Sequence, residues 1–173
     1  MTDTALRVDA GPAPGSAAIA RAIALVLPLA LLGGALGSQY IGGLHPCEMC
    51  YWQRWPHGAA VVFALLAFTA PASSSRSRGL VLLAAAAIAV SGAIGVYHAG
   101  VEAKVFEGFT TCTTLPHGGT TADILKQISA APLVRCDQVQ FRFLGISMAG
   151  WNALISLFGA GAILMLTLRE RLK

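Results

Sequence analysis

Four cysteines are the residues whose types and spacing are best suited to chemistry in this chain. Cys47 and Cys50 form a C-x-x-C motif, and Cys112 and Cys136 lie 24 positions apart further along. Two intervening residues let the sulfurs of a C-x-x-C pair close into a small and often reactive ring. Each pair is therefore a candidate for thiol–disulfide exchange, in which a thiolate attacks a disulfide sulfur.

The spacing of these cysteines also bears on whether they bind a metal, attach haem or form structural disulfides. Zinc usually takes a second close pair or histidine partners, and Cys112 and Cys136 are too far apart to form a second knuckle. We therefore expect no metal site. Covalent haem attachment requires a histidine directly after the motif, where this chain has Tyr51. Inert disulfides that only staple loops remain an open alternative for both pairs.

The residues after the motif extend its chemistry. Arg54 follows Cys50 by four positions, which is one turn if a helix begins there, and a nearby cation favours the reactive thiolate. Alternatively, Arg54 only anchors the chain at a membrane edge. Tyr51, Trp52 and Trp55 either belong to an interfacial aromatic belt or form a flat pocket that would suit a planar, lipophilic electron acceptor.

The composition of the chain indicates what holds these residues in place. Of its 173 residues, 55% are hydrophobic and 12% are charged, whereas soluble domains contain about 25% charged residues. So few charges could not cover a small soluble domain, and so much apolar sequence excludes disorder for most of the chain. The 12 Lys and Arg are scattered, which argues against nucleic-acid binding. The composition predicts a membrane protein.

Four continuous apolar stretches have the roughly 20 residues that a transmembrane helix needs. They cover about residues 22–41, 55–72, 79–99 and 146–168. None alternates with a period of two, so we predict an all-α, four-helix transmembrane bundle over residues 21–169 rather than a barrel. Residues 1–20 are predicted to form a disordered tail, and residues 170–173 a second short tail.

All four cysteines fall in the two loops on one side of this bundle, at about residues 42–54 and 100–145. The segments on the other side carry Lys and Arg at higher density, so the positive-inside rule places both termini in the cytoplasm. The second loop has helical spacing over residues 120–131, which predicts a short helix on the membrane surface. His98 ends the third span on the cysteine side, where it either packs or serves the site.

This combination resembles the disulfide bond formation protein B (DsbB) family. The features that carry the resemblance are the four spans, the run Cys47–Arg54, Tyr97-His98, Cys112, Cys136 and the stretches 135–137 and 143–152. The resemblance covers residues 22–168. Two places match less well. The family often has Glu where this chain has Gln53, and residues 113–134 follow no pattern that we can match.

The resemblance implies a bacterial inner-membrane enzyme with periplasmic cysteine loops. It would act as a quinone-dependent protein thiol:disulfide oxidoreductase that re-oxidises a DsbA-like thioredoxin-fold partner and reduces ubiquinone or menaquinone. Two alternatives remain open. One is a quinone reductase similar to vitamin K epoxide reductase, whose motif usually comes after several spans. The other is a non-enzymatic bundle with two structural loop disulfides.

Carried over by position, the resemblance also assigns a role to each cysteine. Cys112 would form the mixed disulfide with the partner, and Cys136 would be its companion. Cys47 and Cys50 would re-oxidise that pair, with Cys50 facing the quinone. The expected cofactor-binding residues are Arg54 and His98.

Overall fold

The computed structural model describes residues 15–108, 118–130 and 134–169. The elements in chain order are α1 (Ser16–Tyr40), α2 (Glu48–Ala67), α3 (Ser75–Glu102), α4 (Thr121–Ala130), β1 (Arg142–Phe143), β2 (Ile146–Ser147) and α5 (Met148–Arg169). The mainly helical prediction is confirmed. Cys112 lies outside the described residues.

The four long helices run alternately in opposite directions, and each packs mainly on two neighbours in the ring order α1, α2, α3, α5. The seam between α3 and α5 is close because Gly95 has no side chain there. A Cβ on Gly95 would lie 3.0 Å from the amide nitrogen of Ala153 and 3.1 Å from the carbonyl oxygen of Ala149. Small residues at such seams let helix backbones approach each other.

The two ends of this helix bundle differ in character. We call the end that holds Cys47, Cys50 and Cys136 the cysteine end. The opposite half has a core of small apolar side chains, namely Ala20, Ala24, Ala60, Ala64, Ala67, Val81, Ala84, Ala85, Ile88, Ala160 and Ile163. Apolar burial and close packing therefore hold that half together.

Arg21 closes the opposite half by binding the last turn of α2. Its guanidinium donates to the carbonyl oxygens of Ala67 and Ala70 at 3.2 and 2.8 Å and stacks over Phe68 at 4.3 Å. The last carbonyls of a helix have no partner within the helix, and they attract cations. Ser77 also donates to the Ala67 carbonyl at 3.1 Å, so α2 ends at Ala67 rather than near residue 72.

Three helices of the described part, α1, α3 and α5, are long and apolar enough to cross a membrane. The first half of α2 is too polar to meet that criterion, since it carries Gln53, Arg54 and His57. Its second half nevertheless exposes Val62 and Leu65. Hydropathy thus supports three of the four expected spans.

The structure moves two predicted boundaries at the start of helices. α1 begins at Ser16, so residues 16–20, which we predicted to lie in the disordered tail, are helical because the Gly- and Pro-rich stretch ends at Gly15. α2 begins at Glu48 with Cys47 as its N-cap, so the first loop is shorter than predicted. The Cys47 sulfur accepts the backbone N–H of Cys50 at 3.3 Å, as capping side chains do.

A small hairpin before α5 was not predicted. β1 and β2 pair antiparallel, and the turn between them has positive φ at Leu144 (50°) and Gly145 (82°), as a two-residue hairpin turn requires. Ile146 and Ser147, predicted to open the fourth span, belong to β2, and α5 begins at Met148. Trp151 Nε1 donates to the Phe143 carbonyl at 2.9 Å, which fixes the hairpin on α5.

The predicted short helix in the second loop corresponds to α4. Thr120 caps it, because its hydroxyl accepts the N–H of Asp123 at 3.3 Å and its own N–H donates to the Asp123 carboxylate at 3.0 Å. This reciprocal pair satisfies two backbone donors at the helix start. The location of α4 on the membrane surface stays a prediction.

Candidate functional site

Three cysteines meet at the start of α2. The sulfurs of Cys47 and Cys50 lie 2.9 Å apart. The sulfurs of Cys47 and Cys136 and one ring nitrogen of His98 all lie within 4.8 Å of one another. The three cysteines are free thiols. The fold therefore brings the described member of the second predicted pair against the C-x-x-C pair.

An ion-pair cluster fixes the segment that carries Cys136. The carboxylate of Asp137 accepts from Lys104 Nζ at 2.6 Å, and Arg135 donates two hydrogen bonds to it at 2.9 and 2.8 Å. The Arg135 and Lys104 cations hold the pKa of Asp137 well below its usual range. Since Lys104 directly follows α3, this cluster ties the second loop to the end of that helix.

Cys136 lies in a setting that favours its thiolate. It is only 2% exposed and packs with Cys47, Met49 and Val101. A hydrogen bond from Cys47 and the backbone N–H groups of Met49 and Glu48 lower the pKa of Cys136 to about 7. The same contact raises the pKa of Cys47. Cys136 is thus the thiolate of this pair near neutral pH, and the thiolate is the attacking form.

Gln53 sets the tautomer of His98. The Gln53 amide nitrogen donates to the Met49 carbonyl at 3.1 Å and lies 2.8 Å from His98 Nδ1. An amide nitrogen can only donate, so Nδ1 accepts and the ring proton lies on Nε2. His98 Nε2 is 3.5 Å from the Cys47 sulfur. His98 also hydrogen-bonds the backbone of Cys136, and its Nε2 lies 3.9 Å from the Glu102 carboxylate. The Nε2 side of the ring thus faces Cys47, Cys136 and Glu102.

A cavity of about 240 Å³ lies next to Cys50, enclosed by α1, α2 and α5. Leu31, Gly34 and Ala35 line it from α1, and Arg54 lines it from α2. No Cβ is present at Gly34, and one placed there would meet no atom within 4 Å. An apolar cavity with a few polar groups is the usual form of a small-molecule site.

Arg54 is held against α1. Its guanidinium donates to the side-chain oxygen of Gln39 at 2.5 Å and to the Ala35 carbonyl at 3.2 Å, and it lies 5.2 Å from the centre of the Tyr51 ring. Its Nε is buried and has no hydrogen-bond partner among the described residues. The cation predicted to serve the site therefore lines the cavity with one donor unused.

Of the two alternatives for the aromatic residues after the motif, the structure supports the interfacial belt. Tyr51, Trp52 and Trp55 do not line the cavity, and Trp55 is 77% exposed. The aromatic residues of the cavity wall are Phe141 and Trp151.

Two polar residues of the site were missed at the sequence level. His57 and Asn152 line the cavity, and His57 Nε2 lies 2.9 Å from Asn152 Oδ1. The signals were present: His57 follows Arg54 by three residues and so shares its helix face, and Asn152 is an amide inside a predicted span, where polar side chains are costly and mark functional sites. His98, which we predicted to bind a cofactor, both lines the cavity and contacts Cys47.

Comparison with known proteins finds relatives that match most of the chain. The profile of the family "Disulfide bond formation protein DsbB" matches residues 17–166. Proteins named "Disulfide bond formation protein B" are similar to this chain. The one from Methylococcus capsulatus is 32% identical over 79% of this chain and 85% of its own length. The one from Polaromonas sp. (strain JS666) is 31% identical over 83% and 85%.

A third relative of the same name, from Shewanella sp. (strain W3-18-1), is 30% identical over 73% of each chain. No solved structure matches the chain. The matched region contains all four cysteines, all residues that line the cavity, and the four long helices except Ser16 and residues 167–169. The chain therefore belongs to the disulfide bond formation protein B (DsbB) family of helical membrane proteins.

Proposed function

We propose that this protein re-oxidises a periplasmic, DsbA-like thioredoxin-fold oxidant and passes the two electrons to a membrane quinone. The observation that carries the proposal is the meeting of Cys136 with Cys47, beside a cavity that adjoins Cys50. Two disulfides that only stapled separate loops would have no reason to share one buried cluster. A relay between two pairs requires that contact.

The exchange steps follow from the positions of the sulfurs. A thiolate of the partner attacks the Cys112–Cys136 disulfide at Cys112, and Cys136 leaves as a thiolate. The backbone N–H groups of Met49 and Glu48 lower the pKa of Cys136, which makes it a better leaving group. Cys136 then attacks Cys47 in the Cys47–Cys50 disulfide, so that a Cys136–Cys47 bond forms and Cys50 is released.

The second half of the relay restores the outer pair. The second thiol of the partner displaces Cys112, which leaves the partner oxidised. Cys112 then attacks Cys136 and re-forms the Cys112–Cys136 disulfide. Cys47 and Cys50 are left as thiols, so they hold the two electrons of the partner in the pair nearest to the cavity.

The cavity fits the headgroup of ubiquinone or menaquinone. A quinone ring is flat and apolar and has two carbonyl oxygens that accept hydrogen bonds. The cavity has apolar walls on α1 and two buried nitrogens without partners in the described residues, Arg54 Nε and His57 Nδ1. A bound quinone supplies the acceptor for two electrons and two protons. Arg54 would donate to one carbonyl oxygen and stabilise the charge that develops there.

The same proposal places the cysteine end in the periplasm. α2 is the fourth span, and its exposed Val62 and Leu65 face lipid. Arg76, Arg78 and Arg169 lie at the opposite end, which the positive-inside rule assigns to the cytoplasm of the bacterial inner membrane. The reduced partner then meets the cysteine loops in the compartment where disulfides are made.

The test is quinone reduction by the purified protein with a reduced thioredoxin-fold partner, comparing the wild type with Cys50→Ser. We expect turnover in the wild type and none in Cys50→Ser, while Cys50→Ser still exchanges disulfides with the partner. Full turnover in Cys50→Ser would exclude the proposed route. No turnover in the wild type, with cysteines locked in disulfides that resist mild reductant, would favour the stapled bundle.

A further inference from the structure

His57 lines the cavity and has a ring nitrogen without a hydrogen-bond partner in the described structure. The residue is 2% exposed, and its Nδ1 is buried without a hydrogen-bond partner among the described residues. A buried nitrogen is costly to leave unpaired. His57 shares the cavity wall with Arg54, one helical turn away on the same face of α2. His57 is therefore a residue of the cavity wall that has an unpaired ring nitrogen.

Asn152 determines which ring nitrogen of His57 carries the proton. The Asn152 amide nitrogen donates to the side-chain oxygen of Gln53 at 2.8 Å and to the Ser91 carbonyl at 3.2 Å. Its oxygen must then be the atom that faces His57, and it also accepts from the Ser156 hydroxyl at 3.2 Å. Because that oxygen only accepts, the proton of neutral His57 lies on Nε2.

Nδ1 of neutral His57 consequently carries a lone pair and no proton, and it lies on the side of the ring away from Asn152. In the neutral ring, Nδ1 can accept a hydrogen bond or a proton. Once Nδ1 is protonated, it can donate a hydrogen bond or release the proton. Arg54 cannot play this part, because a guanidinium stays charged and does not release its proton. The two buried nitrogens at the cavity thus differ in kind: Arg54 supplies fixed charge, and His57 can hold and release a proton.

His98, the other buried histidine near the cysteines, has both ring nitrogens in contact with other groups. His98 Nδ1 accepts from Gln53, and the Nε2 side of its ring faces Cys47, the backbone of Cys136 and the Glu102 carboxylate. The side chains that join His98 to His57 are the amides of Gln53 and Asn152, and amides do not exchange protons readily. This chain of hydrogen bonds therefore orients the two rings and does not conduct protons between them.

We propose that His57 is a further catalytic residue of the site, which transfers a proton from Nδ1 to an oxygen of the quinone. This inference rests on the proposed function. In the overall step, the thiols of Cys47 and Cys50 lose two electrons and two protons and join in a disulfide. Nδ1 of neutral His57 first accepts the proton that one cysteine thiol releases, and His57 then delivers this proton to one quinone oxygen. The other quinone oxygen gains the proton of the second thiol through water, and His57 ends the step neutral.

The experiment compares the full-length wild type with His57→Gln and His57→Leu. The amide of His57→Gln keeps a donor for Asn152 but cannot carry a proton. Each protein is first reduced, then mixed with one equivalent of quinone, and the loss of quinone absorbance is timed. We expect both variants to slow this single turnover by about 10² or more, in the range of lost general acid–base catalysis. Disulfide exchange with the partner should keep its wild-type rate.

A binding measurement separates proton transfer from packing. The dissociation constants (Kd) of the oxidised quinone and of its quinol are measured by quenching of tryptophan fluorescence. Neutral Nδ1 accepts a hydrogen bond from a quinol hydroxyl but offers nothing to a quinone carbonyl. We expect His57→Leu to weaken quinol binding about fivefold, the value of one hydrogen bond, and to change quinone binding by less than twofold.

Trp55→Gln is the control, because Trp55 lies on the same helix as His57 but is 77% exposed and does not line the cavity. We expect it to keep the wild-type rate. The inference is overturned if His57→Gln reduces quinone at the wild-type rate, if Trp55→Gln is slowed as much as His57→Gln, or if His57→Leu loses quinone and quinol affinity equally. A wild type that reduces no quinone would instead refute the proposed function, and this inference with it.

Discussion

The two halves of the helix bundle bury polar side chains in different ways. In the half away from the cysteines, Ser77 donates to the Ala67 carbonyl and Thr167 donates to the Ile163 carbonyl. At the cysteine end, buried side chains bond one another: Gln53 bonds His98 and Asn152, and Asn152 bonds His57 and Ser156. In the half away from the cysteines, these side chains bond backbone carbonyls. At the cysteine end, the side chains bond one another.

This difference shows what each half does. A hydroxyl that bonds a carbonyl of its own or the next helix can be replaced at little cost, because the carbonyl often keeps a backbone partner. A side chain that bonds two others fixes their tautomers and positions as well as its own. At the cysteine end, the buried polar side chains orient His98 and His57.

Of the substitutions that test this difference between the halves, Asn152→Leu should have the largest effect on stability. It removes the partners of His57 and Gln53 together and leaves buried polar atoms unpaired, at about 1–3 kcal/mol each. We expect the free energy of unfolding in mixed micelles to fall by about 3 kcal/mol. Thr167→Val is the matched control in the other half, and it should cost less than about 1 kcal/mol. Equal losses in the two variants would remove the distinction between the halves.

The next effect tests the cavity itself. Gly33 and Gly34 are both exposed on α1 and both have space for a Cβ, but only Gly34 lines the cavity. We expect Gly34→Leu to occupy the cavity and raise the KM for quinone about tenfold, whereas Gly33→Leu should change it less than twofold. A similar KM in both variants would place the quinone elsewhere.

The electrostatics of the cysteine cluster predict a pH dependence. The pKa of Cys136 is lowered to about 7 from an ordinary value of 9.0, so its thiolate forms as the pH rises through 7 and is lost below that. We expect the ultraviolet absorbance of this thiolate, taken as wild type minus Cys136→Ser in reduced protein, to have its midpoint near pH 7. Cys47→Ala removes the hydrogen bond that contributes most and should move the midpoint upward. A midpoint that does not move would assign the shift to the α2 amides.

The smallest effect should come from the exposed ion pair. Lys104→Ala removes one cation from Asp137, and exposed ion pairs contribute about 0–1 kcal/mol. We expect exchange between Cys136 and Cys47 to slow by less than threefold in a single-turnover assay. Lys126→Ala, on α4, is the control and should have no effect. A loss above tenfold would mean that this ion pair alone positions the second loop.

The sequence was sufficient for features that are local along the chain. Continuous apolar runs predicted the long helices, and the C-x-x-C spacing predicted that the sulfurs of Cys47 and Cys50 lie together. It was not sufficient for contacts across the bundle. His57 and Asn152 lie 95 positions apart, and no periodicity relates them. The hairpin before α5 was missed because the two turn residues, Leu144 and Gly145, are its only mark in the sequence. The residues on either side of them are equally compatible with a helix.

The aromatic residues show the same limit. Tyr51, Trp52 and Trp55 follow the motif directly, so their proximity in sequence favoured a pocket around it. On α2 they lie on faces away from the cavity, and Trp151 of α5 reaches it instead. Which face of a helix turns inward depends on its neighbours, and the sequence of α2 alone does not specify them.

The central claim is that Cys136 passes electrons to the C-x-x-C pair through Cys47. The direct test mixes the oxidised protein with a partner that retains only its attacking cysteine, so that the mixed disulfide with Cys112 persists, and maps the remaining disulfides by mass spectrometry after alkylation. The relay predicts a Cys47–Cys136 disulfide with Cys50 alkylated. An alkylated Cys136 beside an intact Cys47–Cys50 disulfide would contradict it.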